Sequence, residues 1–250
     1  MTPEREALFR RFVRPPFHVS QRHQDMACES MMFAKWFDSI DSAFRLKHID
    51  ITTVDFRNEP SVENVLFIRL LVWTEGAEFP QVVELRAETA VVFVEIKCEG
   101  ERYALLIEQP RLATGQQRFP EVPAGMMTGF RVKVKAAPEL KEWLGLDLEH
   151  VEMEDLTERL PGPADPRLYF SPGLLNERAR FFLVKIEKRR SELDALRSRA
   201  AVIPYESAAI VPVVIPFHQL PARVRDLKSL VAYWLCLEPT TASADHPRLR

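Results

Sequence analysis

The stretch that decides the reading is "RFPEVPAGMMTG", Arg118 to Gly129, with its continuation "FRVKVKAAPELKEWLGL", Phe130 to Leu146. Val132 and Val134 alternate with Arg131, Lys133 and Lys135, the period-two pattern of an extended segment. The chain then changes character. Pro138 suits the first position of a helix, Glu139 favours its positive end, and Gly145 stops it after barely two turns. A turn, a basic extended segment and a short helix opened by an acid therefore follow one another.

Working upstream, "AVVFVEI" (Ala90 to Ile96), the turn "KCEGE" and "RYALLIEQ" predict a hairpin with Gly100 in the turn. "FRLKHIDITTVDF" from Phe44, "NVLFIRLLVWT" from Asn64 and "FPQVVELR" read as three further strands, and Met26 to Ser42 as a helix. Downstream, a proline-rich loop spans Thr157 to Gly173, and "ARFFLVKIE" (Ala179 to Glu187) is a strand. The charged "KRRSELDALRSRA" reads either as a helix or as a mobile insertion, and "IVPVVIPFHQL" returns to strand. "RDLKSLVAYWLCL" (Arg225 to Leu237) predicts an amphipathic helix with Leu227, Leu230, Val231 and Trp234 on one face. Strands, a central helix, more strands and a final helix make a mixed α+β fold rather than alternating βαβ units. Neither common glycine-rich nucleotide loop is present, and eight glycines leave little material for one.

Composition removes several function classes. With 250 residues the chain makes one large domain or two small ones. A formal net charge of -2 excludes a globally basic nucleic-acid binder and leaves room for a local basic arm. Cys28, Cys98 and Cys236 are far apart, which speaks against a zinc site or a disulfide framework and suits a reducing compartment. No apolar run approaches the roughly 20 residues that cross a bilayer, so no membrane association is expected. His150 and His218 have no nucleophile pattern around them, so a hydrolase triad is unsupported.

Residues 1–25 form a basic arm. Ala7 to Gln24 contains Arg10, Arg11, Arg14 and Arg22 and no acid. That is the character of a mitochondrial targeting segment, although Glu4, Glu6 and Pro15-Pro16 suit a solvated, partly extended arm equally well. The same arginines suit contact with RNA phosphate. Mitochondrial localisation is the expectation, with the cytoplasm as fallback.

Taken in order, these segments resemble the Nudix hydrolases, in particular the branch of ADP-sugar and ADP-ribose pyrophosphatases with its plant-type ADP-sugar members. "YALLIEQPRLATG" is similar to the family's strand ending in glutamine, arginine and a small-residue turn, and "PEVPAGMM" to the approach to its Nudix box. "AAPELKEWLGL" resembles the box helix, and "EDLTERL", "YFSPGLLNERARFFL", "VIPFHQL" and "DLKSLVAYWL" follow in the family's order. The resemblance implies a Nudix α/β/α sandwich with a mixed sheet over residues 84–237. A smaller N-terminal helix and β-rich region, 26–83, would precede it for dimerisation or docking, and a disordered tail, 238–250, would follow. It also implies a nucleoside diphosphate-linked ligand touched by Arg111, Glu121 and Gly125, although Arg111 suits a solvated strand-end turn and Glu121 equally suits a turn acceptor. Magnesium would be held by Glu139 and Glu142, and Glu206 lies in the loop where related pyrophosphatases carry a catalytic base.

The departures from the box are as informative. After Gly125 the chain runs Met126, Met127, Thr128, Gly129, Phe130, Arg131, without the family's early glutamate. Pro138 replaces the arginine before Glu139, Trp143 replaces a further glutamate, and Asn176-Glu177 replaces a downstream acidic pair. The Gly125-to-Glu139 spacing is one residue short. Glu139 and Glu142, three apart on one helical face, serve either as residual ligands or as helix-end electrostatics. Arg131, Lys133, Lys135 and Lys141 add positive charge, and at about 4 Å a unit-charge contact is worth about 4 kcal/mol in an effective dielectric of about 20. The expectation is a non-catalytic or weakly catalytic binding or assembly subunit, as a homodimer or within a larger complex such as a mitochondrial ribonucleoprotein. The alternative is an active magnesium-dependent ADP-sugar or ADP-ribose pyrophosphatase, so Mg2+ is expected only if the protein is active.

Overall fold

The computed structural model describes residues 19–127, 153–160, 165, 167–198, 201–202 and 209–237. The chain divides into two compact units, Met1–Glu88 with Leu168–Arg178, and Thr89–Arg167 with Ala179–Arg250.

The first unit begins with two helices, α1 (Gln21–Glu29) and α2 (Met31–Asp38), where the sequence predicts one. Ser30 divides them. Its backbone is extended at ψ 143°, and its hydroxyl donates to Ala27 O at 2.6 Å while accepting from Phe33 N at 3.2 Å. A serine that satisfies the start of the next helix competes with continuing the last one. The strands β1 (Leu46–Phe56), β2 (Val65–Thr74) and β3 (Gln81–Arg86) make an antiparallel sheet in that order. Ile49, Ile51, Ile68, Leu70 and Leu85 form one core cluster with Ala27, Phe33 and Phe37 of the helices. Phe44 lies outside the strand expected for it. It sits in a 3-10 turn and is exposed, because Arg45 takes the left-handed conformation at φ 45° and redirects the chain. Residues 168–178 join this unit through β3: Glu84 N donates to Leu174 O at 2.8 Å and Asn176 N to Glu84 O at 3.1 Å.

The second unit is a mixed sheet. The strands β4 (Thr89–Cys98) and β5 (Glu101–Arg111) form the expected hairpin. Its two turn residues, Glu99 at φ 52° and Gly100 at φ 84°, both take positive φ, as a type I′ turn requires. Next come β6 (Gln116–Glu121), β7 (Ala124–Met126) and β8 (Met153–Asp155). After β9 (Leu168–Tyr169) in the first unit follow β10 (Arg178–Glu187), helix α3 (Arg190–Arg197), β11 (Ala201–Val202) and β12 (Ala209–Pro216). Helices α4 (Leu220–Arg223) and α5 (Leu227–Cys236) close the unit. The strand order is β11-β12-β5-β4-β10-β8, with β6 on β5 and β7 on β4. Only β4 and β10, among the pairs of this path, run parallel, from Thr89↔Ala179 to Lys97↔Glu187.

Helices cover both faces of β4, which explains its near-continuous apolar run. Val92, Val94 and Ile96 share a core with Leu193 and Leu196 of α3. The charged stretch read as helix or insertion is therefore a helix, docked by two leucines three residues apart. On the other face Phe93 meets Phe217 at 5.8 Å, and Phe217 meets Tyr233 of α5 at 4.9 Å. The buried face of α5 is not the expected one. Ser229, Ala232 and Cys236 are buried, whereas Leu227 and Trp234 stand exposed. Small residues let the helix approach the sheet, and a serine hydrogen bond at its first turn sets the rotation.

All three cysteines are free and buried, and burial pushes the Cys28 thiol well up and the Cys236 thiol up to about 12. Among the described residues no helix is long and apolar enough to cross a membrane.

The docking of α3 can be measured. Leu193 is fully buried, so Leu193→Ala removes about 2–5 kcal/mol of stability by lost transfer energy and cavity formation. The midpoint of urea unfolding should fall accordingly, and an unchanged midpoint would show that α3 does not belong to this core.

Candidate functional site

Three of the residues expected at a ligand site, Arg111, Glu121 and Gly125, lie in the described part of the second unit. Glu139, Glu142 and Glu206 lie outside the described residues.

Side chains on β5 alternate, so Ile107, Gln109 and Arg111 face the same way. Pro110 has no N–H to give the ladder, and the β5–β6 register slips between Gln109 and Arg111. Gly115, at φ 68°, turns the chain back into β6, which brings Glu121 opposite Ile107. The Glu121 carboxylate, 1% exposed, then receives three donors. Gln109 Nε2 reaches Oε1 at 2.8 Å, Arg111 Nε reaches the same oxygen at 2.7 Å with its Nη2 alongside, and Lys228 Nζ lies 3.3 Å from Oε2.

Lys228 belongs to the first turn of α5, where the helix dipole disfavours a cation. Two carboxylates hold it there. Its ammonium also donates to Asp226 Oδ1 at 2.7 Å. Asp226 is the N-cap: its Oδ2 accepts from Ser229 N at 2.9 Å and Ser229 Oγ at 2.7 Å. Ser229 Oγ in turn accepts from Val122 N at 2.9 Å. One network thus ties the end of β5, the end of β6 and the start of α5, and Arg111, Lys228, Glu121 and Asp226 sum to no net charge.

Gly125 is not part of an open turn. It lies in β7 opposite Ala90, and Val92 N donates to Pro123 O at 2.9 Å. The segment from Glu121 to Met126 therefore runs strand, two-residue link, strand. Asn176 and Glu177 also have structural partners in the first unit. Arg86 N donates to Asn176 Oδ1 at 2.9 Å, and Arg86 Nη1 to Glu177 Oε2 at 3.4 Å.

The chemistry open to this arrangement is limited. Both Glu121 oxygens are already engaged, so ligating a hard cation would mean breaking a buried ion pair. Among the described residues no group of three histidine, cysteine or acidic side chains is placed to hold a metal. Arg111 is different. Its side chain is 41% exposed, and an edge of the guanidinium remains for an anion. Gln109 stood out in the sequence only as the glutamine ending a strand, and Asp226, Lys228 and Ser229 only as part of a helix-forming stretch. An aspartate three residues before a serine at the start of an apolar helix was the available signal.

No family model matches the chain. It is 26% identical over 223 residues to Nudix hydrolase 14, chloroplastic, of Arabidopsis thaliana, covering 84% of this chain and 71% of that protein. Among solved structures, an ADP compounds hydrolase covers 76% of this chain and 91% of its own, at 13% identity and a TM-score of 0.43. A C. elegans Ap4A hydrolase binary complex covers 60% and 93%, at 12% identity and a TM-score of 0.38.

A double-mutant cycle separates a structural pair from a ligand-binding arginine. If Arg111 neutralises Glu121, Arg111→Ala and Glu121→Gln each destabilise the fold, and the double variant reveals a coupling of about 1–3 kcal/mol. An arginine without that role would leave stability within about 0.5 kcal/mol of the parent and show no coupling.

Proposed function

We propose that the chain is a Nudix superfamily member, on its 26% identity to a Nudix hydrolase, and that it is a non-catalytic or weakly catalytic one, acting as a binding or assembly subunit. The observation that carries the proposal is the engagement of Glu121, whose two oxygens are held by Gln109, Arg111 and Lys228. In this family's architecture the following segment would bring the metal-binding acids, yet from Val122 to Pro138 there is no carboxylate at all. Magnesium dehydrates reluctantly and is held by carboxylates together with substrate phosphate. Among the described residues no such set of acids is gathered, and Glu139 and Glu142 lie outside them. A nucleoside diphosphate-linked ligand would instead rest on the exposed edge of Arg111, beside the Glu121–Gly125 segment.

Assembly follows from the same reading. The three-stranded sheet unit would serve as the surface for a second copy or for other subunits. The arginine-rich segment 1–25 would add contacts to RNA phosphate, as in a mitochondrial ribonucleoprotein. The second reading is an active pyrophosphatase, for which Glu139 and Glu142 would hold Mg2+ and Glu206 would serve as base. It is favoured by the hydrolase name of the Arabidopsis relative.

One assay separates the two. Purified protein with Mg2+ or Mn2+ and a panel including ADP-ribose and ADP-glucose should show very slow turnover or none. Robust Mg2+-dependent hydrolysis, abolished by Glu139→Gln, would establish the second reading instead. Localisation has its own test: a fluorescent reporter fused to residues 1–24 should enter mitochondria, and a cytosolic signal would remove the basis for that assignment.

A further inference from the structure

At the opposite end of α5 from the Glu121 network, the second unit holds a pocket of about 620 Å³. Helix α5 has ten residues, so the two ends lie about 15 Å apart. The pocket's floor is the sheet and its wall is the last turn of α5. Its lining includes four cations, Lys97, Arg102, Arg159 and Lys185, against one carboxylate, Glu95, in a chain whose formal net charge is -2. A local excess of positive charge on an acidic chain calls for an account.

The cations are not equivalent. Arg102 Nη2 donates to the buried Glu95 at 2.7 Å, and its guanidinium lies 4.0 Å from the Phe217 ring centroid, so that residue is held in place. Arg159 donates to Leu235 O at 2.9 Å and to Glu154 Oε1 at 2.8 Å. Its first bond also offsets the partial negative charge at the helix end, which would otherwise repel an anion. Lys97 and Lys185 have no carboxylate within ion-pair distance among the described residues. They project from neighbouring strands, Lys185 opposite Glu95 and Lys97 opposite Glu187, two positions out of step and thus on one face. The two lysines are diagonal neighbours, and although Glu95 and Glu187 stand opposite them in the register neither forms an ion pair with them, which leaves both ammonium groups able to meet an anion.

The remaining wall is apolar, with Leu183, Leu235 and the half-exposed Trp234 among its residues. The indole is 55% exposed and lines the pocket, so part of its ring is open to a ligand. We propose that this pocket binds a small phosphorylated ligand carrying a flat ring, of mononucleotide chemistry, with phosphate between Lys97 and Lys185 and the ring against Trp234. A volume of this size suits one such molecule. The site is separate from the Arg111–Glu121 region and does not depend on hydrolysis, on a metal or on the assembly role. Cys236, buried in its wall with a thiol pushed up to about 12, takes no part as a nucleophile.

The test titrates the full chain calorimetrically with ADP and with inorganic pyrophosphate, in metal-free buffer at low salt. Both should bind. Lys97→Ala with Lys185→Ala should weaken each at least tenfold, whereas Lys97→Arg with Lys185→Arg should retain binding. Trp234→Ala should weaken ADP severalfold and leave pyrophosphate unchanged. Both lysines and the indole are on the surface, so thermal melting should confirm folded variants. Absence of binding by the parent chain overturns the proposal. So does ADP affinity that survives the lysine-to-alanine pair and vanishes with Arg111→Ala, and so does a single-stranded RNA oligomer that binds through these lysines more tightly than ADP.

Discussion

A carboxylate sealed from water must be neutralised where it sits, and Glu121 is such a group. Burying an isolated ionised carboxylate is prohibitive, and partners that compensate it are fixed in place by the cost of losing them. Gln109 and Arg111 reach it from β5 and Lys228 from α5, so one charge sets the positions of two strand ends and a helix start. The rotation of α5 follows from that link. With Asp226 and Ser229 committed to the cap and to Val122, the small residues Ser229, Ala232 and Cys236 face the sheet.

The same constraint bears on chemistry. A catalytic carboxylate needs a lone pair directed at metal or water, and a structural carboxylate needs its lone pairs occupied. Glu121 is occupied. Its lone pairs are directed at Gln109, Arg111 and Lys228, and the Arg111 side chain, 41% exposed, is the partner that also faces solvent.

Much of the fold was legible because its signals are local. The β4–β5 hairpin was marked by two apolar runs and Gly100, and β12 and α5 by their patterns. Ser30 was misread because a serine within an apolar helical pattern is compatible with continuation as well as with a new cap, and only the tertiary position of α2 decides. The face of α5 was misread because periodicity placed Leu227 and Trp234 together, while the controlling contacts come from Glu121 and Val122, more than 100 positions earlier. The Glu121 network was half legible: Arg111 and Glu121 stood out, but their pairing depends on the slip at Pro110, which no period in the sequence encodes. Glu95 lay inside a predicted strand and Lys97 in the turn expected after it, whereas the strand runs on to Cys98, and their alignment with Lys185 required the parallel register.

That parallel register also governs the order in which the protein can be built. As the chain leaves the ribosome, β4 acquires β5 and then β7 along one edge within a few dozen residues. Its other edge waits for β10, since Thr89 pairs with Ala179, ninety positions later. Closing so long a loop is slow relative to hairpin formation. Throughout that interval one of the most apolar strands in the chain presents an open row of backbone donors and acceptors, a template for pairing with the wrong partner. Until the chain has reached residue 187, that edge of β4 lacks the strand that covers it in the folded protein.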